Sequence, residues 1–443
     1  MKTLTALALM LALVAACGGG SSPPDDRADT AIRVRPNGAA ELLVHVAGAA
    51  DGPAVAYALI TPPRLGTLVG ELPACYYQAG GVEGADTIGV RAQPAVGAAV
   101  DVTITMRVVA GGPTCALPDA TPLAFPTWTA RQQPIYTGWE AASDASVILK
   151  DGTYLMAYTG IDWADPAGPR AAMCLAGSVD GMAWTPRPPV AARLPGSALL
   201  GREGTWETHL EGPELIDRGD SVAMLYSGYT HKEGADELGG YPAHLGAAVS
   251  TDRGTTFARV GSEPVLRADA AGHDRDAVYS PTVVRFGGGY VMVYAGHHLA
   301  PPAGEGYVRL LGATSLDGIR WTRFARQLLQ RADSPAWIHD AVAEPGLVQG
   351  PDGWWYLFFT GLKDSDRVIG QARGRTPFGP WTVSPQPAIP HSPAGGYGKA
   401  LAPCVLRVAD TGRMWFLGTD VDETRWAICY AEAAWPPAPL VRN

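Results

Sequence analysis

The sequence predicts an all-β chain, a five-bladed β-propeller preceded by a small β-sandwich-like domain, and three observations predict it. First, a hairpin pattern occurs five times: SDASVILKDGTYLMAYTG (Ser143 to Gly160), LEGPELIDRGDSVAMLYSG (Leu210 to Gly228), YSPTVVRFGGGYVMVYAG (Tyr279 to Gly296), AEPGLVQGPDGWWYLFFTG (Ala343 to Gly361) and LAPCVLRVADTGRMWFLGT (Leu401 to Thr419). Each copy is a short apolar run, a Gly/Asp turn and a second, aromatic-rich run ending in a small residue, as in a hairpin with both strands buried. Second, a strand of small residues, a turn and an aromatic recur after the hairpins: SVDGMAW, STDRGTTF, SLDGIRW and RTPFGPW place Trp184, Phe257, Trp321 and Trp381 at spacings of 73, 64 and 60 residues. A period of that size, with four short strands per unit, is that of propeller blades. Third, the fifth copy is followed by a third strand, RWAICYAEA (Arg425 to Ala433), and by no fourth, whereas PTWTARQQPIY (Pro126 to Tyr136) is an extra early strand with a blade-type aromatic, Trp128. Sharing one blade between the two closes the ring and removes free sheet edges.

Taken in order, residues 1–16 carry Lys2, an apolar stretch from Leu4 to Val14 and small residues before Cys17, a secretory signal too short to span a bilayer. LVAAC (Leu13 to Cys17) resembles the bacterial lipobox. That resemblance implies cleavage before Cys17, lipidation of that cysteine, and a protein lipid-anchored to a bacterial membrane, facing periplasm or cell exterior. Residues 17–29, rich in Gly, Ser, Pro and Asp, are a flexible tether. Residues 30–122 form a separate β domain, with IRVRP, ELLVHVAG, VAYALI, ACYYQAG, TIGVRAQ and VDVTITMRVV alternating like half-buried strands. The run from PRLGTL through ACYYQAG to GADTIGV resembles bacterial cadherin-like or immunoglobulin-like repeats with P-x-x-G-x-L…Y…G-x-D, which implies a spacer sandwich. The propeller takes residues 126–443.

Composition suits this organisation: 54 Gly and 38 Pro among 443 residues belong to many short strands joined by turns. A formal charge of −9 argues against nucleic acid as a partner. Six cysteines are too few for a disulfide framework. Cys17 is assigned to lipid, Cys75 and Cys115 are a candidate pair in an oxidising compartment, and Cys174, Cys404 and Cys429 read as buried thiols.

The first strand of every blade lines the central channel, so residues at its start converge on one pocket. Those starts carry Asp144 in blade one, Glu207, His209 and Glu211 in blade two, His273, Asp274 and Asp276 in blade three, and His339, Asp340 and Glu344 in blade four; blade five offers Lys399 and no acid. Glycosidic hydrolysis needs one carboxyl held protonated and one ionised, and a narrow ring of acids pushes such pKa values apart. Asp180, Asp252 and Asp317 lie in S-x-D-x-G-x-x-aromatic turns and read as structural. Histidines mixed with acids suggest sugar contacts or structure, since no pair has a strong zinc spacing. Trp139, Trp163, Trp206, Tyr229, Tyr279 and Trp337 are candidate sugar-stacking aromatics, of which two or three should matter.

SDASVILKDGTYLMAYTG, LEGPELI and ARGRTPFGPW resemble the five-bladed propeller glycosidases of glycoside hydrolase family 43 and related clans. The resemblance implies a glycoside hydrolase, inverting, with an Asp base on blade one, an Asp on a middle blade and a Glu acid just before Gly or Pro on a later one. Asp144 matches the base, with Ala145 where the family has Pro; Asp276 is the nearest middle Asp, four residues before Ser280, where the blade-one spacing points to Tyr279; the acid is Glu344 or Glu211. His209, His273, His339, Asp340, Trp206, Tyr279 and Trp337 are the expected substrate contacts. No cofactor is required, although a structural cation in the channel fits the pattern. The partners are a carbohydrate substrate and, through acylated Cys17, a lipid bilayer. Two other readings are a non-catalytic carbohydrate-binding propeller, and a phosphorylase or lyase using Arg202, Arg275 and Lys399.

Overall fold

The computed structural model describes residues 11–14, 31–46, 54–138, 141–162, 170–187, 196–230, 242–302, 306–333, 335–338, 340–364, 366–391, 398–420 and 424–435. The chain divides into two compact units, one of residues 1–117 with 285–291 and 313–326, the other of residues 118–284, 292–312 and 327–443.

In the first unit, strands Ala39–Val46, Ala74–Ala79 and Gly66–Val69 run side by side in one sheet, and Val55–Thr61, Gly84–Pro94, Val100–Val108 and Ile32–Val34 in another. The alternation read from the sequence is the alternation of burial: Val102, Ile104, Met106 and Val108 face a core shared with Leu42, Val44, Tyr77, Ile88 and Val90. Asp86 explains the repeat-like motif. Its buried carboxylate accepts the N–H groups of Arg64 and Leu65 at 2.7 Å each and the Tyr77 hydroxyl at 2.9 Å, tying Pro-x-x-Gly turn, Tyr and Asp into one knot. No disulfide joins Cys75 to Cys115. Cys75 lies opposite Leu42, whereas the Cys115 N–H is bonded to Ala39 O. Three residues of strand, roughly 10 Å, exceed the reach of a disulfide. Leu11–Val14, inside the predicted signal, pair antiparallel with Leu43–Val46; Cys17 and the tether lie outside the described residues.

The second part of the chain is a β-propeller. Consecutive sheets begin with the inner strands Ala142–Lys150, His209–Asp217, Ala277–Phe286, Ala341–Gln349 and Lys399–Val408; the first is five-stranded, adding Ser197–Leu199, and the third is part of an eight-stranded sheet that also holds Val55–Thr61. The ring closes as the sequence predicts: Thr129–Ala130 pair with Glu432 and Ala431 of the last strand, Tyr136 bridges Ile428, and Trp128 packs edge-on against Phe358 at 5.3 Å. The Asp-turns are structural, also as predicted; Asp180, Asp252 and Asp317 each accept backbone N–H groups that follow them.

One local device positions everything that follows. Each inner strand adopts a left-handed conformation at one equivalent residue: Asp144 (φ 50°), Gly212 (56°), Ser280 (43°), Glu344 (48°) and Ala402 (47°). A bulge in the pairing follows at Ser143/Ser146, Glu211/Glu214, Ala343/Gly346 and Leu401/Cys404. For the non-glycine residues this conformation costs about 1–2 kcal/mol each. Such strain persists where surrounding contacts impose it, and it re-aims side chains.

Candidate active site

The five left-handed residues line one pocket, together with the residues that follow each of them along the inner strands. Two of the five are acids, Asp144 in blade one and Glu344 in blade four. Both sit in the same cradle. Thr159 and Thr360 lie on the second strands of their blades, opposite Ser143 and Ala343. Thr159 Oγ1 donates to Asp144 Oδ2 at 3.0 Å and accepts Gly212 N–H from the next blade at 3.1 Å. Thr360 Oγ1 donates to Glu344 Oε2 at 2.5 Å and accepts Ala402 N–H, again from the next blade, at 3.0 Å. Ser227 repeats the arrangement in blade two, accepting Ser280 N–H at 3.1 Å.

The two cradles differ in how they treat charge. Burial raises both carboxyls. Asp144 is opposed by three donors, the hydroxyls of Thr159 and Ser143 and the Gly212 N–H. Glu344 is pushed up to about 7, by burial first and then by the negative charge of Asp144. An ionised Asp144 therefore favours a protonated Glu344, which is the split that acid–base chemistry on one substrate requires.

Glu211 lies one residue before its blade's left-handed position and accepts hydroxyl hydrogen bonds from Tyr229 and Tyr279. Burial raises its carboxyl, as does Asp144, and the two phenols oppose this. His209 stacks on Tyr229 at 5.3 Å, so it braces the residue that holds Glu211. Asp144, Glu344, Glu211 and Tyr279 thus form one electrostatically linked group.

Other residues expected at the site do different work. Asp276 is not the third acid of the pocket: blade three presents Ser280 at the equivalent position. Asp276 sits at the strand entrance, where its N–H donates to His297 O at 2.9 Å and its carboxylate accepts Leu299 N–H at 2.7 Å. Asp340 is its counterpart in blade four, donating to Leu362 O at 3.0 Å and accepting Asp364 N–H at 2.6 Å. Both fasten the end of a hairpin. Trp206 and Trp337 are half-buried: each stacks at 6.4 Å on its blade's own aromatic, Tyr226 or Phe359, and donates its indole N–H to the carbonyl of Ser262 or Pro385. Gly228 and Gly361 make room for these rings, since a Cβ there would come within 2.5 and 2.9 Å of them. His273 contacts Gln327 at 3.0 Å and Arg309 at 3.4 Å, on outer strands of its own blade. Glu207 is fully buried between Arg202 and Arg259, and Asp274 accepts the Tyr294 hydroxyl. Of the cations considered for phosphate, Arg202 is committed to Glu207 and Arg275 lies 3.8 Å from Asp276. His339, Trp139 and Trp163 lie outside the described residues.

Sequence reasoning missed the cradle hydroxyls. Their signal was present: the hairpin copies end YTG, YSG and FTG, so Thr159, Ser227 and Thr360 are the repeated hydroxyl before the terminal glycine.

No protein-family model matches the sequence, and neither does any curated protein. Solved structures do resemble it. A thermostable family-43 glycoside hydrolase aligns at TM-score 0.51 and 15% identity over 66% of this chain and 88% of that one. A structure from the family-130 mannoside phosphorylases, a family containing glycoside hydrolases that target β-1,2 mannosidic linkages in Candida mannan, aligns at 0.51 and 15% over 74% and 99%. A family-32 β-fructofuranosidase of Bombyx mori aligns at 0.50 and 16% over 68% and 62%. The chain shares the propeller fold of glycoside hydrolases.

Proposed function

We propose that the protein is a glycoside hydrolase in which Asp144 is the ionised partner and Glu344 the proton donor. The observation that carries this reading is the pair of equivalent cradles on one pocket, with Glu344 pushed up to about 7 beside Asp144. Glu344 gives its proton to the glycosidic oxygen as the bond to the anomeric carbon breaks. Asp144 takes a proton from the water whose oxygen attacks that carbon from the other face, inverting the configuration. Both reactants are held before reaction by groups that need not move, so little reorganisation accompanies charge transfer. Glu211 is likewise raised by burial and by Asp144, but its two oxygens are taken by the hydroxyls of Tyr229 and Tyr279, which leaves Glu344 as the proton donor.

A panel of aryl glycosides and plant glycans, with the first product anomer read by NMR, tests the reaction and its stereochemistry. Hydrolysis of none of them, with glycans still bound, would favour a carbohydrate-binding propeller. The proposal extends to location: export and acylation at Cys17 on the LVAAC sequence. A Cys17→Ser protein should then leave the membrane fraction; recovery of an unmodified peptide through Cys17 from membranes contradicts the anchor.

A further inference from the structure

Below the acid pair lies a carboxyl that the proposed reaction does not use. Two residues beyond each left-handed position, the inner strands present Ser146, Glu214, Thr282, Gly346 and Cys404 to the same pocket. Glu214 is the hub of this layer. Its Oε2 accepts the Ser146 hydroxyl of blade one at 2.8 Å, and its Oε1 accepts the Val283 N–H of blade three at 2.6 Å and the Thr282 hydroxyl at 3.4 Å. The relay extends further. Ser146 Oγ accepts Leu215 N–H at 2.9 Å, and Thr282 Oγ1 accepts Leu347 N–H of blade four at 3.4 Å. One carboxylate therefore links the inner strands of four blades, including the two that carry Asp144 and Glu344.

We propose that Glu214 is a positioning residue for the glycosidase reaction, the inter-blade tie that sets the placement of Asp144 relative to Glu344. The inference rests on the reading of those two residues as the catalytic pair. Ser146 is two residues from Asp144 on one strand, and Leu347 is three from Glu344 on another, so loss of the hub frees both strands at once. A displacement of about 1 Å in such a pair costs on the order of 100-fold in rate.

Every hydrogen bond to Glu214 is donated to it, so the network is complete only for the carboxylate, while burial pushes the group up to about 7. Of the titratable groups around it, Glu344 in the layer above is also pushed up to about 7. Cys404 is pushed up to about 12 by burial and by Glu214 itself, and Ser146 and Thr282 do not titrate. Gly346 has no side chain, and a Cβ there would meet Pro403 O at 2.2 Å. Asp144 and Glu344 stand in the layer above. The tie therefore tightens as pH rises through neutrality.

The test is Glu214→Gln, which keeps the volume but puts an amide where the acceptor was. On an aryl glycoside that the wild type hydrolyses, kcat should fall about 10- to 100-fold with KM changed less than about threefold. The deficit should be largest above about pH 7 and shrink below it, where wild-type Glu214 is itself protonated. Glu214→Asp should recover part of the rate, and Ser146→Ala, which removes one arm, should lose less than Glu214→Gln. An unchanged kcat with only a lower Tm overturns the proposal, as does a deficit that does not vary with pH. If the wild type turns over no glycoside, the glycosidase reading fails separately. Positioning is then read from 13C carboxyl titrations, where Glu214→Gln should shift Asp144 and Glu344 and unmoved titrations overturn it.

Discussion

Asp144 and Gly212 occupy the same turn of the same bulge one blade apart, as do Glu344 and Ala402. In each case the first member is an acid fastened to a threonine, and the second supplies the N–H that fastens it. The backbone does not distinguish reactive from supporting blades. The left-handed residue recurs in all five inner strands, whereas the hydroxyl on the neighbouring strand occurs in blades one, two and four only, and just two of the left-handed residues, Asp144 and Glu344, are acids. Asp276 and Asp340 show the converse. They are acids of the right type near the right strands, but outside the bulge, and their oxygens are spent on backbone N–H groups.

The sharpest way to break this comparison is to neutralise the acids. Asp144→Asn and Glu344→Gln should each lower kcat by about 10³-fold or more on a confirmed substrate, with circular dichroism unchanged. Retention of wild-type turnover in both removes the assignment. Loss in Glu211→Gln without loss in Glu344→Gln moves the proton donor to blade two.

A smaller effect should come from the cradle. Thr360→Val removes the hydroxyl that lowers the Glu344 pKa, so the alkaline limb of the pH–rate profile should move upward while kcat falls roughly tenfold. A limb that stays in place would mean the hydroxyl does not hold the acid.

The same burial has a stability signature. Glu344 and Glu214 are raised from 4.5 to about 7, so between these values the folded chain holds protons that the unfolded chain has released. Their favourable contribution is full below about pH 4.5 and is lost as pH rises through about 7. The lowered carboxyls, Asp180 at about 2 and Asp86, act oppositely and lose their contribution only in strong acid. Tm should therefore decline from about pH 5 to pH 8, and Glu214→Gln should flatten that decline. The smallest effect belongs to the rim: Asp276→Asn and Asp340→Asn should leave kcat within about twofold and lower Tm by a few degrees, as expected for losing an exposed or half-buried hydrogen bond.

Much of the fold was legible because the signals are local. Alternating strands, Gly/Asp turns and a repeated hairpin say where blades begin, and the surplus strand around Trp128 says how the ring closes. Asp144 and Glu344 are singled out through their motif neighbours, and both line the pocket. Asp276, expected in the pocket, lies at a strand entrance instead, because residue type and proximity to a strand do not say where a side chain points.

What the sequence by itself determined is the order of the hairpins, the pairing of the strand around Trp128 with the last strand, and a supply of acids at the strand entrances. Only the tertiary structure decided which acids meet. Side chains alternate faces along a strand, and a bulge adds one residue to one partner, so a shift of a single position turns a channel residue into a packing residue. The bulge itself is held by Thr159, Ser227 and Thr360 bonding to the next blade, 53, 53 and 42 residues away in sequence. Contacts that close only when neighbouring blades dock leave no local pattern, and for that reason Glu214 reads as one more acid in LEGPELI until four blades surround it.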